Sequence, residues 1–571
     1  MKKTIYNFLL IFAAISAFSV AFIGCKDEDL TGPSRLFRPV LKSDNIVTGM
    51  TTDTVPFIKV TWDKYTDANQ YVVKAVAADG TDSVSITTDS ISCTFTNLKF
   101  DTEYNIKIHS VNTTNGLESK DYVANVTTPD FPTQLLNISS TNIIDTQVRL
   151  LWSRFNSQGS PTVYDTIKVY NALTNAIEIS SAVTSDELAS GSKIIRNLHP
   201  QTSYRVEAFH AGKYNGKKLF TTTASESYSG LVIDLRGLTA DDSYKYFSVN
   251  TGSLYLNKVD SIVKANPDQN ITFVLQGGVT YRLPTLSVPS TAGRVKFVTG
   301  LSLSGMASFA VSGNFDAPAS AVVGGIDFQK LFFTDAPLEG KAKTADANYG
   351  GTYIFNLSGP GSNIKSITFD NCVVKYKRGV LRCKDAAVVD TFKVNNCVFD
   401  SIANYGITSA DFATCKITNI IVKNSTFSSC QVLFVGTKQA SSPINTIDIE
   451  NNTFVYCIAN GGYLFNYSGC TVNNFILKNC VFGVSGKTPS DPLTTGVRGW
   501  SGTVSPMADG CYFTNDYLWQ INVATGVPYA QISGTTLSTN TVQTFEAPAK
   551  SDFKVISNEL KKLKAGDPRW Y

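Results

Sequence analysis

The sequence predicts an all-β chain in which two sandwich modules lead into a right-handed parallel β-helix. Three observations carry that reading. Asn371-Cys-Val-Val, Asn396-Cys-Val-Phe, Asn424-Ser-Thr-Phe, Asn451-Asn-Thr-Phe and Asn479-Cys-Val-Phe are one motif written five times, with asparagines 25, 28, 27 and 28 residues apart. Each copy follows an alternating apolar pair, such as Ile367 and Phe369 or Phe475 and Leu477, which marks a strand with one buried face. Upstream, Asn97-Leu-Lys-Phe-Asp-Thr-Glu-Tyr104 returns 100 residues later as Asn197-Leu-His-Pro-Gln-Thr-Ser-Tyr204, so a second, different unit is also repeated.

The chain opens with Lys2 and Lys3 before an apolar run from Phe8 to Ile23. That run is too short and too rich in small residues for a comfortable transmembrane span, and reads as a signal peptide over residues 1–24. It ends Phe22-Ile-Gly-Cys25, which resembles a bacterial lipobox; the resemblance implies lipidation of Cys25. An ordinary secretory signal with a chance cysteine is the alternative. Lys26-Asp-Glu-Asp29 resembles the acidic export tag of Bacteroidetes-type surface lipoproteins, implying an outer-membrane, lipid-anchored, surface-exposed protein. A solvated charge run is the alternative there. Residues 25–40 read as anchor and tether.

Residues 41–129 and 130–228 form the sandwich modules. Val60-Thr-Trp62 and Leu150-Leu-Trp152 each place a tryptophan on an alternating strand. Both modules resemble fibronectin type III domains of the immunoglobulin-like class. The resemblance implies that the tryptophans are core and that Leu-x-x-x-Thr-x-Tyr is a tyrosine corner.

The β-helix is expected over residues 229–550, with a C-terminal cap over 551–571. A fixed period means one supersecondary unit stacked on copies of itself, because a single unit cannot bury its apolar face alone. Asparagine ends each strand, where it tolerates turn dihedrals and can build a ladder along the axis. Ile326-Asp-Phe-Gln-Lys-Leu-Phe-Phe fits the frame with Lys330 at the asparagine position, and Gly510-Cys-Tyr-Phe is a later, degenerate copy. Leucine-rich repeats share the period but need a leucine-dense consensus. A helical stretch from Leu254 to Ala265 precedes Ile271-Thr-Phe-Val-Leu-Gln-Gly-Gly-Val-Thr-Tyr281 and would cover the open end of the core. A strand running into Gly-x-x-Tyr resembles the start of pectin-lyase-like β-helices. The ending, Leu560-Lys-Lys-Leu-Lys-Ala-Gly-Asp-Pro-Arg-Trp570, resembles that of Bacteroidetes β-helix lipoproteins. Together they imply a polysaccharide ligand and partner proteins of a glycan-uptake system.

Composition bounds the rest. The chain is 43% hydrophobic and 17% charged, with formal charge +4, or +2 without Lys2 and Lys3. That balance gives no case for nucleic acid. Of eleven cysteines, Cys25 is assigned to the lipid. Cys372, Cys397, Cys480 and Cys511 fall at equivalent repeat positions, so they should stack in the core as free thiols. No Cys-x-x-Cys pair and no Asp-x-Asp-x-Asp loop occurs, so no metal site or cofactor is assigned; carboxylates from successive rungs could still converge on calcium.

The richest stretch for chemistry is Lys375-Tyr-Lys-Arg-Gly-Val-Leu-Arg-Cys-Lys384. Asn371 with Gly379-Val-Leu-Arg382 resembles the Asn…Gly-x-x-x-Arg segment of polysaccharide lyases of family six. The resemblance implies a catalytic role for Arg382, with a lysine base from a neighbouring rung. The chain departs from the pattern twice: Cys383-Lys384 stand where His-Gly is usual, and an insertion from Asp335 to Gly351 interrupts the rung that should hold the base. Lys375, Lys377, Arg378 and Lys384 are candidate substrate-binding residues, or else a solvated face. The three histidines, His109, His199 and His210, fall in the sandwiches and read as surface residues. Trp500, Trp519, Tyr512 and Tyr517 read as core or cap packing, with sugar stacking the alternative. Three functions stay open: recognition of an acidic polysaccharide, a lyase acting by β-elimination, and a non-catalytic adhesive surface protein.

Overall fold

The structure is a computed structural model that describes residues 35–51, 55–156, 158–247, 258–334, 351–439, 442–486, 495–520 and 529–571. The signal peptide, Cys25 and most of the 335–351 insertion lie outside these residues.

The first module packs strands Ile46–Met50, Pro56–Thr61 and Ser92–Phe95 on a sheet built around Gln70–Ala77 and Glu103–Asn112. Its core holds Trp62, edge-on to Tyr71 at 5.2 Å. The second repeats the plan, with Trp152 edge-on to Tyr164 at 5.6 Å. Both tyrosine corners close identically: Lys99 N donates to Tyr104 Oη at 3.0 Å, and His199 N to Tyr204 Oη at 2.9 Å. One boundary moves. Leu36 is buried in the first core and the Phe37 carbonyl accepts from Ser110 Oγ, so the sandwich begins inside the segment expected to be a free tether.

From Leu231 the chain winds into a parallel β-helix. Strands such as Asn363–Asp370, Val388–Asn395, Lys416–Lys423, Ile444–Glu450 and Val472–Lys478 stack in register as one sheet. After each, one left-handed residue turns the corner: Lys330, Asn371, Asn396, Asn424, Asn451 and Asn479 have φ between 52° and 55°. Asparagine suits that conformation because its short side chain can bond locally. The ladder forms: Asn451 Nδ2 donates to Asn424 Oδ1 at 3.1 Å and Asn479 Nδ2 to Asn451 Oδ1 at 2.7 Å. It breaks once. Asn424 turns to Asn395 at 3.0 Å, while Asn396 accepts from Arg569 at 2.7 Å.

Inside, Phe399, Phe427, Phe454, Phe482 and Phe513 stack with centroids 4.9–5.3 Å apart and planes within 15°. Beside them, each residue after the asparagine accepts from the backbone of the rung before: Cys372 N donates to Cys397 Sγ, Cys397 N to Ser425 Oγ, and Ser425 N to Asn452 Oδ1. Ten cysteines are buried free thiols, and burial pushes the Cys372, Cys430 and Cys480 thiols well above the ordinary value.

The N-terminal end is closed by Phe247, whose ring meets Phe273, Tyr281, Phe297 and Phe309, and by the helix Lys258–Ala265, whose Val259 and Val263 enter the core. Tyr517 and Trp519 pack on Phe513 at the other end, and Trp500 lies 4.7 Å from Phe475 inside. These aromatics are therefore core and plug. The C-terminal segment differs from the expected end-cap. From Asn540 it runs back along one flank as a strap, with Phe545, Phe553, Val555 and Leu560 buried against Val455, Tyr456 and Val481. Asp567 accepts from Thr426 Oγ1 at 2.7 Å and Trp570 Nε1 donates to the same oxygen at 2.8 Å. Outward apolar residues on those rungs required a cover, and the strap supplies it. Among the described residues, no helix is long and apolar enough to cross a membrane.

Candidate functional site: a basic, aromatic trough

The strand Val373–Cys383 carries the whole basic stretch except Lys384, and it does not keep alternation. Tyr376 is left-handed at φ 57°, and the pairing register slips between Lys377 and Gly379. The side chains are therefore dealt to three places. Lys375 lies on the strap side, 3.7 Å from Asp400, which Ser551 of the strap also meets at 3.0 Å. Lys377 is fully buried, with its ammonium donating to Thr352 Oγ1 at 3.2 Å, so it cannot be a substrate-binding surface residue as expected. Arg378 and Arg382 stay together on the third side of the helix. Lys384 stands apart, over the Phe412 ring at 5.8 Å and 3.9 Å from Asp385.

Around the two arginines the neighbouring rungs supply what the linear motif lacks. Tyr353 from the rung before and Tyr405 from the rung after meet edge-to-face at 5.2 Å. Gly379 lies between them, where a Cβ would come within 2.7 Å of Tyr405 Cβ, so a side chain there would force the rings apart. The Arg378 guanidinium sits 4.8 Å from the Tyr405 centroid and Arg382 4.6 Å, each also over Tyr353 at 5.6 and 5.5 Å. Each such contact is worth roughly 0.5–2 kcal/mol.

The two guanidiniums differ in commitment. Arg382 donates through Nε to Asp411 Oδ2 at 2.8 Å, with a second short bond to the same oxygen, and Lys438 reaches Asp411 Oδ1 at 3.0 Å. Burial alone would lower the Arg382 pKa, but Asp411 and the tyrosines raise it above its ordinary value. Burial would raise Asp411; its bonds and attractions to Arg382 and Lys438 hold it below the carboxylate range. Tyr353 is pushed up by burial against both arginines, so its phenol stays protonated. Arg378 is the available cation: its Nε reaches Asn404 Oδ1 at 3.4 Å, and no carboxylate pairs with it among the described residues.

From this cluster an open trough of about 410 Å³ runs along the helix axis. Its floor is Ser409, Val435 and Asn466, the middle of a column Asn356–Arg382–Ser409–Val435–Asn466–Ser501 that carries one residue per rung. Tyr405 and Tyr463 stand along one wall, Asp411 and Lys438 along the other. Asn356 Oδ1, Asn466 Oδ1 and Ser501 Oγ are buried without a hydrogen-bond partner among the described residues. Sequence reading missed Tyr353, Tyr405, Asp411, Lys438 and Tyr463. Each lies one or more rungs from the basic stretch, and only a rung-by-rung alignment on the asparagines would have shown them.

The histidines each sit by a surface carboxylate: His109 at 2.8 Å from Asp121, His199 at 4.0 Å from Glu178, His210 at 3.7 Å from Asp165. Among the described residues, no three His, Cys, Asp or Glu side chains are grouped to hold a metal ion.

Fold and trough together define a multidomain all-β protein: two sandwiches and a parallel β-helix with a basic, aromatic face. Residues 285–430 match the family described as "Domain of unknown function (DUF4957)", and residues 420–570 that described as "Domain of unknown function (DUF5123)". No curated protein matches the chain. Among solved structures it is similar to the two fibronectin type III domain segment of chicken tenascin, at 17% identity, covering 33% of this chain and 100% of that one with a TM-score of 0.17. It is also similar to the FN1–FN3 domains of chicken CNTN1, at 16% identity, covering 34% of this chain and 69% of that one with a TM-score of 0.14.

Proposed function

We propose that the chain is a lipid-anchored surface protein that binds an acidic polysaccharide through the trough of a pectin-lyase-like β-helix. The observation that carries the reading is the pair Arg378 and Arg382 held over Tyr353 and Tyr405 at the trough's edge, with Arg378 unspent on any carboxylate among the described residues. Guanidinium forks suit carboxylate and sulfate groups, which they bind by two parallel bonds. Tyrosines that immobilise the forks lower the ordering penalty on binding.

The test is mobility in native gels containing polygalacturonate, alginate or chondroitin sulfate. Retardation is expected in at least one, with Arg378→Ala weakening it about tenfold, since a hydrogen bond to a charged group is worth ~1.5–3 kcal/mol. Unchanged mobility in all three gels sinks the reading. A lyase is the second reading, favoured by Arg382 and Lys438 sharing Asp411 in one cleft. Both cations are engaged with that carboxylate, which suits holding an anion better than taking a proton from one. Growth of ultraviolet absorbance from unsaturated uronate, lost in Arg382→Ala, would make the protein an enzyme. The adhesive role stands if neither assay responds.

The anchor rests on Phe22-Ile-Gly-Cys25 and the acidic Lys26-Asp-Glu-Asp29. Stable anchoring needs more than one acyl chain, which a lipoprotein cysteine carries. Cys25→Ala should move the protein from the membrane fraction to the soluble one; retention in the membrane fraction would refute lipid anchoring.

A further inference from the structure

One rung beyond the far end of the trough, the arrangement at its near end recurs. Arg498 pairs in register with Tyr463, and its guanidinium lies 4.9 Å from that ring's centroid. Its Nε donates to Gln520 Oε1 at 2.7 Å, and no carboxylate pairs with it among the described residues. Like Arg378, it is a cation oriented by an aromatic ring and one amide oxygen. The strand that holds it ends in Ser501, which aligns with Asn466 of the trough floor.

The column fixes the separation. Arg382 aligns with Ser409, Ser409 with Val435, Val435 with Asn466 and Asn466 with Ser501, so four strand spacings divide the two ends, roughly 19 Å. Between them the floor carries no charge: it offers Ser409, Val435 and Asn466, whose Oδ1 is buried and without a hydrogen-bond partner.

We infer that the trough is a two-ended site for a linear acidic glycan lying along the β-helix axis. One anionic group is received at Arg378 and Arg382, a second at Arg498, and uncharged parts of the chain cross Val435 and Asn466. This rests on the glycan-binding reading and adds Arg498, Tyr463 and a minimum ligand length to it. A chain too short to reach both ends engages one; a longer one engages the second as an intramolecular event, at high effective concentration.

Calorimetric titration with disaccharides and decasaccharides of galacturonate, mannuronate and chondroitin sulfate tests it. In at least one series the decasaccharide should bind on the order of a hundredfold more tightly than the disaccharide. Arg498→Gln, which keeps a side chain for Tyr463 and Gln520, should remove most of that gain and leave disaccharide affinity within about twofold, while Arg498→Lys should recover part of it. Both variants should melt with the wild type, which separates a lost subsite from a misfolded rung. Equal decasaccharide affinity in Arg498→Gln and wild type, with loss in Arg378→Ala, overturns the second subsite and leaves the binding reading intact. Affinity indifferent to both ends, or no binding in any series, overturns both.

Discussion

Replacing Phe454 by alanine is expected to destabilise the β-helix by about 3–5 kcal/mol, the range for removing a buried aromatic. Phe454 is stacked between Phe427 at 5.0 Å and Phe482 at 4.9 Å, with planes within 11° of both. Collapse around the gap is resisted because each neighbour is pinned by a parallel ladder on both sides: Phe427 to Phe399 and Phe454, Phe482 to Phe454 and Phe513. The void therefore persists, and a persistent void is what makes such a change costly. Phe454→Leu, which keeps most of the volume, should lose no more than about 1.5 kcal/mol. Denaturant unfolding of the three proteins decides the matter. A Phe454→Ala midpoint equal to wild type would mean the stack contributes nothing beyond what the ladders supply. Because each rung contacts only its neighbours, a three-state transition in the variant, with the central rungs melting first, is also consistent with the stack.

What could be read from the sequence follows what is local. The five asparagines were legible because a left-handed corner residue is a backbone requirement, met the same way in every rung, and Lys330 and Gly510 take the same conformation where the motif decays. The inward phenylalanines were legible because strand parity holds after each corner. Lys377 was misread for the converse reason. It was grouped with the basic residues beside it in the sequence, whereas the positive φ of Tyr376 turns the chain and the next lysine lies inward at Thr352. Tyr353, Tyr405, Asp411 and Arg498 carry no linear signal, because a β-helix assembles its faces from residues a full turn apart. The strap had a signal that went unread: Val455 and Val481 are apolar at outward positions, where solvent-facing side chains would be polar.

That strap gives the second large effect. Phe553 is fully buried at its centre, edge-on to Phe545 at 5.9 Å and to Trp570 at 5.7 Å, and it faces Val455 and Val481 on the outside of the sheet. Phe553→Ala should lose about 3–5 kcal/mol. The loss should fall on the strap rather than on the rungs beneath, because among the described residues no strand ladder joins the two: Phe545–Ala547 and Asp552–Val555 pair with each other, and the strap meets the helix through separate bonds such as Asp567 on Thr426 and Thr453, Arg569 on Asn396, Thr541 on Asp516 and Ser551 on Asp400. Local opening of this kind is a cooperative unit with its own free energy, smaller than that of global unfolding. Native-state hydrogen exchange should show the amides of Asp552–Val555 exchanging faster by two or more orders of magnitude, since ~1.4 kcal/mol is tenfold in the opening equilibrium, while those of Thr426–Ser428 and Thr453–Val455 stay protected. Protease should then cut within residues 545–571 and leave the rest of the chain whole. Exchange of strap and rungs at one common rate would show a single cooperative unit and sink the claim. The basic trough lies on a different side of the helix from the strap, so the proposed glycan binding through Arg378 and Arg382 should survive the substitution. Loss of binding on strap opening would place Lys375 and Asp400, which lie where strand and strap meet, back among the residues that shape the site.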